Sequence, residues 1–291
     1  MDITPLKLPA ATLAAAIEKR HSSRTFNGLR LDIHAITKIE EAIARLTPLF
    51  PDVPIPEIRL IDGGNVSGRL GTYGFINGAR QFLIMAAGNT DAERVQAGYM
   101  FEQIILAATA AGLDTCWLGG TFRRSIFEKA MDTAAETSVA AEDSVAEPTD
   151  KAPDGSESTV REVCIVSPIG HATQQRRFSE RVMRRVVRAS HRHSFSHLFP
   201  GIDPATPVGP DATTIGDLLE AVRLAPSSAN SQPWRARLTG NDLTFTSATH
   251  NHYTPFDMGI AYAHLVIAAT AAAIPLTLTT PTPLSPTFHL P

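Results

Sequence analysis

Two segments of the chain, GYMFEQIILAATAAGL at residues 98–113 and GIAYAHLVIAATAAAI at residues 259–274, share one pattern. Each begins with glycine and contains the run AATAA. The first is apolar nearly all round, with Glu102 as its sole charge, which predicts a helix that is buried on most of its faces. The two segments look like copies of one helix and indicate an internal repeat.

Two further matches occur in the same order along the chain. EEAIARLTP (40–48) resembles LEAVRLAP (219–226) with one residue dropped, and RHSSRTF (20–26) resembles RHSFSHLF (192–199). Short Ala-rich matches arise by chance in helices, but three matches in one order are a stronger signal. We therefore interpret the chain as a degenerate duplication with a junction near residue 190.

This junction gives a first unit at residues 1–190 and a second, shorter unit at residues 191–291. Helical and strand patterns alternate, so each unit should be α+β. In one helix, isoleucines including Ile33 lie three or four residues apart, and Asp32 is placed to accept hydrogen bonds from free amides. The predicted helices are 11–19, 31–46 and 215–224, and the predicted strands are 56–61, 81–87 and 161–170.

The composition is that of an ordinary globular protein, with 43% hydrophobic and 19% charged residues. The net charge of -3 gives no overall attraction to nucleic acid or anionic lipid. Cys116 and Cys164 are too few and too far apart for a disulfide scaffold or a zinc cluster, so we expect no metal site and a cytoplasmic location. Neither a signal peptide nor a membrane span is predicted.

Three segments have no clear periodicity. Residues 132–158 are acidic and rich in Pro, Gly and Ser, which predicts a mobile surface insertion, with a lid as the alternative. Residues 175–192 carry seven arginines and predict a basic helix or linker. The Pro- and Thr-rich ending, residues 275–291, leaves room for little more than one strand.

RHSSR at residues 20–24 offers two guanidinium groups, an imidazole and two hydroxyls within five residues. Such a cluster suits a phosphate, because arginine gives paired donors to phosphate oxygens and serine hydroxyls add short hydrogen bonds. A solvated turn would explain the same residues.

APSSANSQPW at residues 225–234 has many donors and little backbone freedom. Its hydroxyls and amides can hydrogen-bond the edge of a heterocycle, and Trp234 can anchor the loop in the core. A helix-ending turn pinned by tryptophan is the alternative. GLDTCWLGGTF at residues 112–122 contains a Gly-Gly pair that lets the backbone approach a flat ligand, although a tight turn with a packed Trp117 explains it equally.

Together these motifs resemble the FMN-dependent nitroreductase family, and APSSANSQPW is the most specific of them. Members of that family carry all three motifs in one short subunit and build two FMN sites across a homodimer interface. Here APSSANSQPW comes last, in the second unit, as in the branch of nitroreductase-like proteins whose single chain mimics the dimer. The resemblance implies a nitroreductase-like α/β sandwich in which two degenerate repeats form a pseudo-dimer.

The resemblance also implies which residues bind FMN. Those of the first unit, for the phosphate and ribityl chain, are Arg20, His21, Ser22 and Arg24. Those that cross the seam from the second unit are Pro226, Ser227, Ser228 and Asn230. The turn residues Leu118, Gly119 and Gly120 would lie against the flavin ring, and Arg192 would add a cation for the phosphate.

The copies predict one FMN site rather than two. Where the second unit has PSSANSQPW, the first has PLFPDVPIP, which lacks the hydroxyls and amides. Where the first has Arg24, the second has Ser196. A second site would therefore lack a phosphate cation and donors for the ring edge.

By this resemblance the chain is an FMN-dependent oxidoreductase that passes hydride from NADH or NADPH to a nitro compound, quinone or similar small acceptor. The cofactor carries the chemistry, so no catalytic side chain is assigned. The alternatives are a non-catalytic FMN-binding carrier or redox sensor, and a polyanion-binding protein that uses the arginines of residues 176–192. Because one chain contains the pseudo-dimer seam, a monomer should be able to work.

Overall fold

The structure is a computed structural model in which residues 3–63, 72–142, 161–173, 191–209 and 212–291 are described. The helices in these residues are α1 (Ala10–Lys19), α2 (Ile33–Ala44), α3 (Asp91–Ala110), α4 (Arg124–Glu142), α5 (Phe195–Leu198), α6 (Ile215–Leu224) and α7 (Thr254–Ala271). The strands are β1 (Glu57–Asp62), β2 (Gln81–Ala87), β3 (Asp114–Thr115), β4 (Glu162–Gly170), β5 (Trp234–Thr239), β6 (Asp242–Ser247), β7 (Thr277–Thr280) and β8 (Thr287–His289). No described helix is long and apolar enough to cross a membrane.

Two antiparallel sheets repeat one topology. The first has the strand order β1-β2-β4-β3 and the second the order β5-β6-β8-β7, so corresponding strands occupy corresponding places. The predicted α+β fold with two degenerate repeats is confirmed. The prediction of little more than one strand at the chain ending was wrong, because residues 275–291 contain the two strands β7 and β8. The cross-strand partners Leu278 and Phe288 are both buried and anchor β7 on β8.

The duplicated helices α3 and α7 pack on each other at the centre of the molecule. A Cβ at Gly98 would collide with the carbonyl oxygen of Phe256, and a Cβ at Gly259 would collide with that of Val95. An offset of 161 residues relates Gly98 to Gly259 and also Val95 to Phe256. The contact is therefore reciprocal, as expected for two copies that meet about a local two-fold axis.

The helix starts follow their capping residues. Asp32 caps α2 as predicted, since its side chain accepts a hydrogen bond from the amide of Ala35. Ile33 is exposed, contrary to the prediction that it lies on the apolar face of this helix. The buried residues of α2 are Ile39 and Ala42, in its later turns. The prediction for α3 began too late: Thr90 and Glu93 form a capping box ahead of the apolar run.

The acidic segment at residues 132–158 is only partly described. Its first part, as far as Glu142, continues α4, so the prediction of an irregular insertion was wrong there. Alanine and glutamate have high helix propensity, which favours a helix here even though the segment lacks a periodic apolar face. Residues 143–160 lie outside the described residues, and so does most of the basic segment, residues 174–190.

One large core joins the two units. It includes residues from Leu8 to Leu290 and contains α1, which packs on both α3 and α7. A smaller core lies between the first sheet and α4, where Phe82 and Phe127 meet edge to face at 5.5 Å. Because the large core draws on both units, the helical layer that they share is one packed body.

The close approach of α3 and α7 gives a test of the fold. Gly98→Ala should lower the free energy of unfolding by about 2–3 kcal/mol, because the methyl group would force the helix backbones apart. Gly112→Ala is the matched control: the space around its Cβ is open, so only the strain of a left-handed φ of 77° is added, about 1 kcal/mol. Urea unfolding measures both. Equal losses would contradict the glycine-mediated contact.

Candidate functional site

A cavity of about 500 Å³ lies at the seam between the two units. All of the predicted site residues except His21 contribute to its wall. Those from the first unit are Arg20, Ser22, Arg24, Leu118, Gly119 and Gly120, and those from the second are Arg192, Pro226, Ser227, Ser228 and Asn230. The fold thus brings together motifs that are up to about 200 residues apart in the sequence.

One part of the wall is strongly cationic. Nε of Arg20 and Nη1 of Arg24 are buried and have no hydrogen-bond partner among the described residues. The pKa of Arg192 is lowered to about 10, mainly by burial and also by repulsion from Arg20. Buried donors usually have partners, and converging cations repel one another, so this part of the cavity fits an anion.

The segment after α1 is extended, and this decides which side chains face the cavity. Ser22 forms a bridge with Thr115, and the amide of Ser23 donates to the carbonyl of Thr115 at 2.9 Å. Side chains alternate along an extended backbone, and the alternate residues Arg20, Ser22 and Arg24 line the cavity.

His21 points the other way and lies outside the cavity wall. Its side chain is exposed, with Nδ1 3.2 Å from the carbonyl oxygen of Lys19 and Nε2 3.4 Å from Asp114. The two-residue alternation could have separated His21 from its neighbours in the sequence. We therefore leave His21 out of the proposed site.

The loop that follows α6 has an unusual backbone. Ala229, Asn230 and Gln232 have positive φ angles of 50°, 57° and 46°, in the left-handed region. The hydroxyl of Ser227 accepts a hydrogen bond from the amide of Gln232 at 2.9 Å, and Trp234 is fully buried, as predicted for an anchor. The loop is therefore held in one conformation by its own hydrogen bond and by the burial of Trp234 in the core.

Arg192 ties this loop to the segment before α5. Its Nη1 donates to Oδ1 of Asn230 at 3.0 Å, and Nδ2 of Asn230 donates to the carbonyl oxygen of His191 at 2.9 Å. Arg192 and Arg20 both line this cavity. Residues at equivalent positions of the two repeats would instead lie at opposite seams. The predicted match between RHSSRTF and RHSFSHLF is wrong as a structural repeat: the first is extended, and the second begins α5.

The Gly-Gly turn is covered by an aromatic ring from the second unit. A Cβ at Gly119 would collide with the ring of Tyr253, and one at Gly120 would lie 2.9 Å from its hydroxyl. Leu118 exchanges two backbone hydrogen bonds with Val166 of β4, which fixes the turn on the first sheet. A larger residue at either position would therefore require the side chain of Tyr253 to shift.

A buried polar network supports Trp117, which precedes the turn and lines the cavity. Nε1 of Trp117 donates to Oε2 of Glu102 at 2.9 Å, and Oε1 of Glu102 lies 3.0 Å from Nε2 of His264. Nδ1 of His264 lies 2.8 Å from the carbonyl oxygen of Ala221, so it carries a proton, because a carbonyl can only accept. Glu102 is therefore paired with His264 across the seam.

Several residues of the cavity wall were not predicted from the sequence. They are Phe75, Trp117, Thr121, Ile165, Ala229, Tyr253, Phe256, Asp257 and Ile260. Four of these lie at the start of α7 or just before it, where the sequence indicated only a buried helix. The repeat itself carried the missing signal, since the reciprocal packing of α3 and α7 places the start of α7 at the seam.

Comparison with known proteins identifies the family. The sequence matches the family described as "Putative TM nitroreductase" over residues 12–140 and 151–269. The chain belongs to this nitroreductase family. The matched ranges include all three motifs and every described strand except β7 and β8. No curated protein matches the sequence significantly.

The chain also matches solved structures that are described as nitroreductases. A Thermotoga maritima protein described as a "putative nitroreductase" has a TM-score of 0.58 at 19% identity, over 96% of this chain and 93% of its own. A nitroreductase family protein from Clostridium novyi NT gives 0.40 at 14% identity, over 56% and 86%. A nitroreductase with bound FMN from Bacteroides fragilis NCTC 9343 gives 0.36 at 15% identity, over 57% and 91%.

The Glu102–His264 pair gives a second test. His264→Ala should cost about 3–5 kcal/mol of unfolding free energy, because it leaves a buried carboxylate without its main partner. His289→Ala, which breaks the half-exposed pair with Asp242, is the control and should cost within about 1 kcal/mol. Urea unfolding compares them. A loss at His264 no larger than that at His289 would show that the buried pair is not required.

Proposed function

We propose that this nitroreductase-family chain is an FMN-dependent oxidoreductase that uses NADH or NADPH to reduce a nitro compound, quinone or similar small acceptor. The observation that carries the proposal is that Nε of Arg20 and Nη1 of Arg24 are buried and have no hydrogen-bond partner among the described residues, in a cavity also lined by Gly119 and Gly120. A phosphate would satisfy these donors. A flat ring system would lie beside the Gly-Gly turn, in the part of the cavity that Tyr253 also lines.

Each part of the wall has a task in this proposal. Arg20, Arg24 and Arg192 would hold the FMN phosphate, and Ser22 would add a hydroxyl donor. The loop at residues 226–230 would offer its polar groups to the edge of the ring system. When bound, FMN supplies the redox chemistry, because it can accept hydride from a reduced nicotinamide and return it to an acceptor. The protein supplies binding, orientation and exclusion of water.

The second seam supports a stoichiometry of one FMN per chain. The offset of 161 residues that relates α3 to α7 places Thr280 and Pro281 where the first unit has Gly119 and Gly120. The match of EEAIARLTP with LEAVRLAP, which has a different offset, places Leu49 and Phe50, both buried, where the second unit has Ser227 and Ser228. Apolar side chains replace donors there. We propose that one chain, with its single site, works as a monomer.

The proposal predicts a bleachable flavin spectrum. Titration of the protein with FMN should saturate at one equivalent per chain, and anaerobic NADH or NADPH should then bleach the visible absorption. Addition of a quinone should restore it. Bound flavin that stays oxidised would favour the carrier or sensor, and no binding at saturating FMN would refute the proposed function. A sizing column run alongside tests the monomer.

Removing donors from either unit should weaken FMN binding. Arg24→Ala and Asn230→Ala should each raise the FMN dissociation constant about 10- to 100-fold, because each removes a charged or polar anchor worth about 1.5–3 kcal/mol. Arg237→Ala, an exposed arginine on β5, is the control and should leave the constant unchanged. Fluorescence quenching of free FMN measures it. If only Arg24→Ala weakens binding, the second unit does not contribute to the site.

A further inference from the structure

Asp257 in the first turn of α7 is a buried carboxyl in the cavity wall. It is 3% exposed. Its Oδ1 accepts a hydrogen bond from the amide of Ser228 at 2.8 Å, and its Oδ2 accepts one from the hydroxyl of Ser231 at 3.3 Å. These bonds hold both ends of the turn in which Ala229 and Asn230 adopt left-handed backbone angles. Such angles are unfavourable for non-glycine residues, so the turn needs hydrogen bonds that hold it in this conformation.

The first unit has an equivalent pair of hydrogen bonds, but the side chain that accepts them is uncharged. Gln96 of α3 lies 161 residues before Asp257, at the equivalent place. Its Oε1 accepts from the amides of Leu49 at 2.9 Å and Phe50 at 3.1 Å, and Phe50 is the counterpart of Ser228. A neutral amide therefore performs this task at the seam without the polar loop. The carboxyl occurs only at the seam with the proposed flavin site.

The charge of Asp257 is poorly compensated. Burial raises its pKa to about 7, and the hydrogen bonds from Ser228 and Ser231 lower it only in part. The elements packed against α7, α7 itself and the cavity wall carry these charged and titratable groups: Glu18, Lys19, Arg20, Arg24, Asp91, Glu93, Arg94, Tyr99, Glu102, Arg192, Asp217, Glu220, Arg223, Arg235, Arg237, Tyr253, Tyr262 and His264. None of these described groups contributes to the shift of its pKa. Asp257 is therefore ionised only in part near neutral pH.

We infer that Asp257 is a positioning residue of the flavin loop and that it takes up a proton when FMN binds. The inference rests on the proposed function. A ring system that fills the cavity would remove water from the wall that Asp257 lines, and loss of water disfavours the ionised carboxylate. The proton also removes a negative charge from the site in which an anionic cofactor would be held. The neutral carboxyl retains an acceptor for the amide of Ser228.

The sign of the pH dependence follows from this uptake. If the pKa of Asp257 is higher in the complex than in the free protein, protonation of Asp257 strengthens FMN binding. This contribution is fully present when the pH is below the pKa of Asp257 in the free protein. That contribution is then lost as the pH rises through the value in the complex. Because the free pKa is about 7, FMN affinity should fall above neutral pH. The second ionisation of a phosphate monoester, near pH 6, lies below this window.

The test is the FMN dissociation constant of the full chain at pH 7 and pH 9. It should rise about tenfold in the wild-type protein, since one proton contributes at most a factor of ten per pH unit. Asp257→Asn should remove the rise, because its amide can hold the loop as Gln96 does. Asp217→Asn is the control: Thr214 lowers the pKa of Asp217, which stays ionised throughout, so the wild-type rise should persist.

Two further measurements separate a proton-linked role from a merely structural one. Calorimetric titration of the wild-type protein with FMN near pH 8, in two buffers of different ionisation enthalpy, should show net proton uptake. Ser231→Ala should move the pH midpoint upward, because it removes a bond that favours the carboxylate. Equal pH slopes in wild type and Asp257→Asn, or no proton uptake, would overturn the inference. Absence of FMN binding at every pH would instead refute the proposed function.

Discussion

The reciprocal contact between α3 and α7 is the constraint on which the other features depend. Gly98 lies against the backbone at Phe256, and Gly259 lies against the backbone at Val95, so the two helices approach more closely than side chains would permit. This approach brings the start of α7 to the Gly-Gly turn of the first unit. It also brings Glu102 within hydrogen-bonding distance of His264. The seam, the cavity and the buried network all follow from one helix pairing.

The pairing is symmetric, but the two seams have diverged. At one seam Asp257 holds a loop of serines and asparagine, and at the other Gln96 holds Leu49 and Phe50. The backbone scaffold needs an acceptor for the loop amides in both places, which explains why a polar residue persists at each. The polarity of the loop has changed, and so have the residues at the position of the Gly-Gly turn. A duplicated chain can keep such a scaffold while the side chains of one seam become apolar and contribute to the core.

Much of the fold could be predicted from local patterns. The apolar periodicity of α2 and the AATAA helices is strong, and the runs that form β1, β2 and β4 are short and bounded, so these elements lie within a few residues of their predicted places. The chain ending could not be predicted in the same way. The strands β7 and β8 are stabilised by their pairing with each other and with β6, which local patterns do not contain.

The candidate site shows the same division between local and long-range information. The motifs indicated the arginines, the Gly-Gly turn and the polar loop, because each needs particular residues at fixed spacing. Tyr253 and Asp257 belong to no such motif, and their place in the wall depends on how α7 crosses α3. The mismatch at Arg192 has the same origin: its string resembles RHSSRTF in letters, but α5 carries the segment to a different place. A repeat in the sequence therefore locates a site reliably only where the repeated residues also have equivalent contacts, as Gln96 and Asp257 do.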